Sequence, residues 1–154
     1  MTRRIEKRLI ELGLTLPNAS APVANYVPAV ESQGLLYLSG QIPRGPEGPE
    51  FLGRLGAGLS IEEGAAAARL CALALLAQAR AKLGDLDRIK RVVKLVGFVN
   101  SAPDFLDQPK VINGASDFFV EVFGEAGRHA RSAVGVASLP LGVAVEVEAI
   151  FEIA

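Results

Sequence analysis

The sequence lacks several residue types on which common structural and catalytic sites depend. Among its 154 residues there are one cysteine, one histidine and no tryptophan. The single cysteine, Cys71, excludes an intrachain disulfide, and its Ala/Leu-rich surroundings predict a buried structural thiol. The single histidine, His129, has too few potential ligands near it for a metal site. We therefore expect neither a disulfide framework nor a bound metal.

Motifs for nucleotide binding and for serine-type catalysis are also missing. The glycine- and proline-dense segment Arg44–Leu59 matches neither a phosphate loop nor a dinucleotide fingerprint, and no G-x-S-x-G motif is present. We expect neither a phosphate cradle nor a dinucleotide site in this segment. The chemistry that is left open uses a clamped anionic substrate and a carboxylate that orients water.

Strong charge of one sign and long apolar runs are absent as well. The formal net charge is −1, and no basic stretch suggests a nucleic-acid surface. The longest apolar run of the central helix, Leu70–Ala77, is far shorter than the roughly 20 residues that cross a bilayer. The N-terminus has no hydrophobic signal core. These absences predict a cytoplasmic protein that binds neither a membrane nor, through its charge, nucleic acid.

What the sequence does have is an excess of apolar residues. Half of the residues are hydrophobic, which is high for a small globule with a large surface relative to its volume. The length suits a single domain over 1–154, with 1–19 as an N-terminal helical extension. The apolar excess suggests that partner subunits cover part of the surface.

Periodicity and turn signals predict the order of helices and strands. A capping box, Ser60 with Glu63, opens the longest helix, and Gly84 ends it. After the first helix the order is ββαβαββ, which predicts an α+β fold with two main helices on one face of the sheet. The predicted helices are Thr2–Leu12, Ser60–Leu83 and Pro109–Phe123, and the predicted strands are Ala29–Ser32, Leu35–Ile42, Asp87–Ser101, Arg131–Ala137 and Val143–Ile153.

The last strand alternates apolar residues with carboxylates. Side chains of a strand point alternately to its two faces, so one face is predicted to be core. The other face carries glutamates, which are costly to bury unpaired, and is either solvated or part of a polar interface. The core face holds Val145, Val147, Ala149, Phe151 and Ile153, and the other holds Glu146, Glu148, Ile150 and Glu152.

Arg131 begins the strand before it. Its guanidinium suits either a glutamate partner or an acidic ligand. If the last two strands pair antiparallel, Arg131 lies toward the far end of the last strand. His129, two residues upstream, is predicted to be an exposed loop histidine.

Four segments resemble the Rid/YjgF family, the reactive-intermediate deaminases once grouped with endoribonuclease L-PSP. The most specific is "ARSAVGVASLPLGVAVEVEAI", which is similar to the family's C-terminal signature of an arginine, Leu-Pro and a strand ending in Glu-x-Glu-Ala. The segments "YLSGQIP", "ANYVPAV" and "INGASDFF" are similar to others of the family. The resemblance covers about residues 20–154. It departs from shorter members in the N-terminal helix and in the segment Arg44–Leu59, as a longer branch of the family does.

The resemblance implies a chorismate-mutase-like fold and a homotrimer with sites in the clefts between subunits. It implies cofactor-free hydrolysis of 2-imino or enamino acids to 2-oxo acids and ammonia. By position, Arg131 would clamp the substrate carboxylate and Glu146 would position the attacking water. The residues that would line the pocket are Tyr26, Ser39, Gly40 and Asn113.

Two other functions stay open for this fold. The same cleft could bind small carboxylic acids as a non-catalytic binder or sensor. The older family name indicates RNA cleavage or inhibition of translation, which the balanced charge and the single histidine do not favour.

Overall fold

The structure, a computed structural model, describes residues 3–22 and 24–154. The predicted order of helices and strands is confirmed, including the N-terminal helix. Thr2, the predicted first residue of that helix, lies outside the described residues. The principal elements are α1 (Arg4–Glu11), β1 (Ala29–Ser32), β2 (Leu35–Gln41), α2 (Ile61–Leu83), β3 (Ile89–Asn100), α3 (Gln108–Phe123), β4 (Ala130–Val136) and β5 (Val145–Ile153).

The helix α2 begins and ends where its sequence signals predict. Ser60 Oγ accepts a hydrogen bond from the Glu63 amide at 3.1 Å, and the Ser60 amide donates to Glu63 Oε1 at 3.0 Å. These two bonds satisfy donors that a helix start otherwise leaves free. Gly84 ends the helix at φ 81°, a backbone conformation that glycine adopts without steric cost.

The five strands form one mixed sheet in the order β1-β2-β5-β3-β4. Neighbours run antiparallel, except that β4 pairs with β3 in parallel. Both long helices pack on one face, since Cys71 of α2 contacts the Val145 carbonyl at 3.8 Å and Ile112 of α3 packs on Gly97 of β3. The predicted α+β architecture is therefore confirmed.

The two faces of β5 differ as the alternation predicts. Its valines, Ala149, Phe151 and Ile153 are buried under the helices, whereas its glutamates and Ile150 are half-buried on the opposite side. Cys71 is fully buried beneath this strand, and burial raises the pKa of its thiol. The side of the sheet away from the helices, called here the open face, presents Val30, Tyr37, Lys94, Val96, Phe98, Val134, Glu146, Glu148 and Ile150.

The antiparallel pairing of the last two strands, which the sequence analysis considers, does not occur. β4 and β5 do not pair, because β3 lies between them and bonds to both. The chain leaves β3, crosses the sheet through α3 and returns as β4, and a crossover through a helix leaves two strands parallel. Arg131 is level with Leu95 of β3 and, beyond it, with Ala149 of β5.

The segment between β2 and α2 is more regular than a plain loop. Arg44–Gly45 pairs antiparallel with Gly48–Pro49, and Arg54–Leu55 pairs parallel with Gly58–Leu59. These short ladders satisfy part of the segment's backbone hydrogen-bonding groups.

The N-terminal helix is fixed at its first turn. The amides of Arg4 and Ile5 donate to the two Asp87 carboxylate oxygens at 2.8 and 2.9 Å, so an acidic side chain lies at the positive end of α1. Ile5 and Leu9 bury their side chains in the core. Within residues 3–22 and 24–154, none of the helices combines the length and the apolar character that crossing a membrane requires.

The two long helices approach closely at Gly114. A Cβ added to Gly114 of α3 would overlap the backbone carbonyl of Ala65 in α2. A backbone atom cannot turn aside as a side chain can, so this contact requires glycine. The approach sets the position of α3, and with it the side chains that α3 presents to β4.

We expect Gly114→Ala to lower the free energy of unfolding by about 1–2 kcal/mol. Overpacking costs about 1–3 kcal/mol, and a clash with backbone lies in the upper part of that range, at about 2–3 kcal/mol. The better helix propensity of alanine returns about 1 kcal/mol. Urea denaturation measures the change, with Asp117→Ala, at an exposed position of the same helix, as control. A Gly114→Ala protein as stable as the wild type would contradict the close approach.

Candidate functional site

Arg131 points from β4 toward α3, where polar side chains surround it. Its Nη1 donates hydrogen bonds to Asn113 Oδ1 at 2.8 Å and to Ser116 Oγ at 3.1 Å. Asn113 and Ser116 are three residues apart on α3 and therefore share one side of the helix. Ser116 Oγ is also 2.8 Å from Nε2 of His129. These four residues are called the Arg131 group below.

His129 directly precedes β4 and is half-buried. Its Nδ1 lies 2.6 Å from the Gly127 carbonyl oxygen. Burial lowers the pKa of His129; the Gly127 carbonyl opposes this change, and the positive charge of Arg131 adds to it. His129 lies in the loop at the entrance to β4, as predicted. The prediction that it is exposed is wrong, because its ring packs against Ser116 of α3.

Glu146 lies on the open face beside a bulge in β2. Leu38 pairs with Ala149 and Gln41 with Val147, so β2 has one residue more than β5 over this interval. The bulge brings Gly40 against Glu146: a Cβ at Gly40 would lie 2.7 Å from Glu146 Oε2. A side chain at position 40 would therefore displace the carboxylate.

Ser39 and Tyr26 lie near the same bulge. Ser39 Oγ donates to the Val27 carbonyl at 2.9 Å, which attaches the segment before β1 to β2. Tyr26, next to Val27, is 50% exposed. Tyr26, Ser39, Gly40 and Glu146 are called the Glu146 group below. An open cavity of about 290 Å³ adjoins it on the open face, with Val27, Ser39, Lys94 and Glu148 among its lining residues.

The ionisation of Glu146 is perturbed. Partial burial raises its pKa above the ordinary value, and the negative charge of Glu148 raises it further. A carboxylate with a raised pKa accepts a proton more readily than an ordinary one. Glu146 can therefore orient a water molecule and draw a proton from it.

Within the single chain the two groups do not form one pocket. Arg131 is level with Leu95, whose side chain faces the helices, whereas Glu146 faces the open side. The two residues are two strands and three rows apart, which corresponds to roughly 14 Å between Cα atoms at ordinary sheet spacings. The six predicted site residues thus separate into two parts, Arg131 with Asn113 and Glu146 with the other three.

Sequence reasoning missed Ser116, which contacts both Arg131 and His129. The signal that could have found it is its position one helical turn after Asn113, since residues three apart share a helix side. It also missed Lys94, whose contribution to the open face follows only from the strand register.

A second cavity lies away from all six predicted residues. Its volume is about 520 Å³, and it lies between the stretch 15–20, the segment after β2 and the helix α2. Gln78 lines it and donates from Nε2 to the Ser20 carbonyl at 2.8 Å. Because none of the predicted residues reaches this cavity, its size alone does not make it the candidate site.

Comparison with known proteins identifies the family. Residues 6–152 match the family described as "YjgF/chorismate_mutase-like, putative endoribonuclease". The chain belongs to this YjgF family. Its fold is accordingly the chorismate-mutase-like α+β fold that the sequence resemblance implies, and three relatives show how far the similarity extends.

The relatives cover almost the whole chain. Protein TCP17 of Trypanosoma cruzi is 56% identical over 97% of this chain and 94% of its own length. The crystal structure of Atu1372 from Agrobacterium tumefaciens is 52% identical, covers 97% and 92% of the two chains, and has a TM-score of 0.91. The structure of E. coli TdcF with bound serine is 26% identical, covers 89% and 94%, and has a TM-score of 0.61.

The structure offers no cluster of metal ligands in the part of the chain that it describes. No group of three or more histidine, cysteine, aspartate or glutamate side chains is arranged there to hold an ion. The polar groups of this YjgF family member are instead a cation held by α3 and a half-buried carboxylate on the open face.

We expect Glu148→Gln to lower the pKa of Glu146 toward the ordinary glutamate value, because it removes a neighbouring negative charge. Carbon-13 NMR titration of the glutamate carboxyl groups measures this change. Glu152→Gln removes a charge from the same face farther along β5 and serves as control. An unchanged Glu146 pKa in Glu148→Gln would show that the two carboxylates are not coupled.

Proposed function

We propose that the protein hydrolyses 2-imino and enamino acids to 2-oxo acids and ammonia, with Arg131 binding the substrate carboxylate. The observation that carries the proposal is the neutral environment of this guanidinium. Its hydrogen-bond partners, Asn113 and Ser116, are uncharged. Within the described residues, no carboxylate forms an ion pair with Arg131. The positive charge is therefore available to a ligand.

Glu146 supplies the second part of the proposed chemistry. The carboxylate orients a water molecule and takes one of its protons, and the water oxygen bonds to the imine carbon as the C=N π electrons move to nitrogen. Glu146 returns the proton to this nitrogen, which gives a carbinolamine. The carbinolamine hydroxyl then passes its proton through Glu146 to the nitrogen, and ammonia leaves as the C–N bond breaks and the C=O bond forms. The raised pKa of Glu146 favours the proton transfer.

The proposed active unit is a homotrimer in which the Arg131 group of one copy meets the Glu146 group of the next. This arrangement is supported by the separation of the two groups to opposite faces of one sheet. It is also supported by the open face, where Val30, Tyr37 and Val134 are 47%, 42% and 43% exposed. Apolar residues exposed on one face favour association.

A second candidate function is reversible binding of small carboxylic acids without turnover. The E. coli TdcF structure with bound serine favours it, since serine carries a carboxylate. RNA cleavage, which the family description names, has weaker support, because the net charge is −1 and the one histidine is occupied by Ser116 and Gly127.

We expect Arg131→Ala to reduce kcat/KM for freshly generated 2-iminobutyrate by roughly 10- to 150-fold, because a charge-assisted contact contributes about 1.5–3 kcal/mol. Ammonia and 2-oxo acid release measures turnover. Arg69→Ala is the matched control, since Arg69 is a partly exposed arginine paired with Glu121 at 3.2 Å. Equal activity in Arg131→Ala and wild type would refute the clamp. Saturable 2-oxobutyrate binding without turnover of any imine would favour the second function.

Mixing two impaired variants tests the shared site. Arg131→Ala and Glu146→Gln chains refolded together should recover activity, because in random trimers about a quarter of the interfaces combine an intact Arg131 with an intact Glu146. Light scattering should give a mass near three times 16.2 kDa. Sites built within one chain would give no mixture more activity than the variants have alone, and that result would reject the arrangement.

A further inference from the structure

The polar contacts around Arg131 form a chain with one consistent direction. The Gly127 carbonyl can only accept, so the hydrogen shared with His129 is on Nδ1. A neutral imidazole then has a bare Nε2, which accepts the hydroxyl hydrogen of Ser116 at 2.8 Å. With its hydrogen directed at His129, the Ser116 oxygen turns a lone pair to Arg131 Nη1 at 3.1 Å.

This series of hydrogen bonds determines which edge of the Arg131 guanidinium is free. Nη1 donates to both Asn113 and Ser116, and within the described residues Nε and Nη2 have no hydrogen-bond partner. A guanidinium is a rigid planar fork, so holding one nitrogen at two points fixes the direction of the others. We propose that Ser116 and His129 are positioning residues that hold Arg131 with its Nε and Nη2 edge toward the ligand carboxylate. This inference rests on the proposed function in treating Arg131 as the carboxylate clamp.

The hydrogen-bond chain from Gly127 to Arg131 requires a neutral His129. A protonated imidazole has two donors and no acceptor, so the Ser116 hydroxyl would lose its partner, and a second positive charge would lie next to Arg131. Burial keeps the imidazole neutral by lowering its pKa, and of the surrounding charges only that of Arg131 contributes to this change. The adjacent elements carry eight other charged residues: Lys90, Arg91, Lys94, Lys110, Asp117, Glu121, Glu125 and Arg128. Lys90, Lys110 and Glu121 are paired with Glu152, Asp107 and Arg69, and Arg91 donates from Nη2 to the Arg128 carbonyl at 2.8 Å.

The neighbouring charges have separate environments. Arg128 and Glu125 pair with each other at 3.0 Å. Lys94 lines the cavity on the open face. Asp117 is exposed on α3. The path from Gly127 through His129 and Ser116 to Arg131 therefore has no carboxylate in it.

Comparing an acid with its amide isolates the positioning role. Calorimetry at neutral pH gives Kd for 2-oxobutyrate and for 2-oxobutanamide, which has the same shape without the charge. Ser116→Ala should weaken acid binding about 10-fold and amide binding less than about 2-fold, because only the acid uses the oriented guanidinium. Ser116→Thr keeps the hydroxyl and should restore acid affinity. His129→Leu should behave as Ser116→Ala does, and His129→Gln, whose amide oxygen can accept from Ser116, should retain affinity.

Each other outcome rejects a defined part of the proposal. Equal losses for acid and amide in Ser116→Ala would indicate a merely structural role, and no loss would remove Ser116 from the positioning. Nitrogen-15 shifts of the imidazole that place the proton on Nε2, or on both nitrogens at neutral pH, would overturn the direction of the chain. Arg131→Ala, measured in parallel, distinguishes the clamp role of Arg131 from the positioning role of Ser116 and His129. Unchanged acid affinity in Arg131→Ala would reject the clamp itself. A loss of affinity in Arg131→Ala alone would reject only the positioning.

Discussion

The insertion of β3 between β4 and β5 is the constraint on which the candidate site depends. Because β4 bonds to β3 in parallel, the side chain of Arg131 follows the face of Leu95 and meets α3. Because β5 bonds to the other edge of β3, Glu146 is two strands away and faces the open side. A direct pairing of β4 with β5 would have allowed an internal ion pair, which would have neutralised the cation.

Backbone geometry places the second part of the site with equal strictness. The extra residue of β2 at the bulge brings Gly40 to Glu146 so closely that a methyl group would meet the carboxylate. The same strand continues to Gln41, whose side chain is buried beside Val147 on the helix side. Bulges are commonly found where a sheet aims side chains at a site, and here the bulge supports a half-buried carboxylate.

Local signals in the sequence predict the helices and strands, whereas they do not predict which distant strands pair. The capping box at Ser60 and the alternation in β5 each depend on residues a few positions apart, so both are visible in one sequence. The parallel pairing of β4 depends on how α3 crosses the sheet, which periodicity does not encode. The burial of His129 is not visible in the sequence for the same reason, since its partner Ser116 is 13 residues away and belongs to another element. The family resemblance marked Arg131 and Asn113 but could not indicate Ser116, because no quoted motif gives that position a role.

The choice of partners around Arg131 explains how the partly buried edge strand β4 can hold a cation ready for a ligand. A carboxylate partner would bind the guanidinium tightly, and a ligand would have to displace it. An amide and a hydroxyl satisfy the donors of Nη1 without cancelling the charge. The cost of keeping this cation without an internal counter-ion is moderate, since Arg131 is only partly buried and solvent still screens it. An anionic ligand that replaced this solvent would then gain the full charge-assisted contact with Arg131. Because His129 is neutral, it accepts the Ser116 hydrogen and adds no second positive charge next to Arg131.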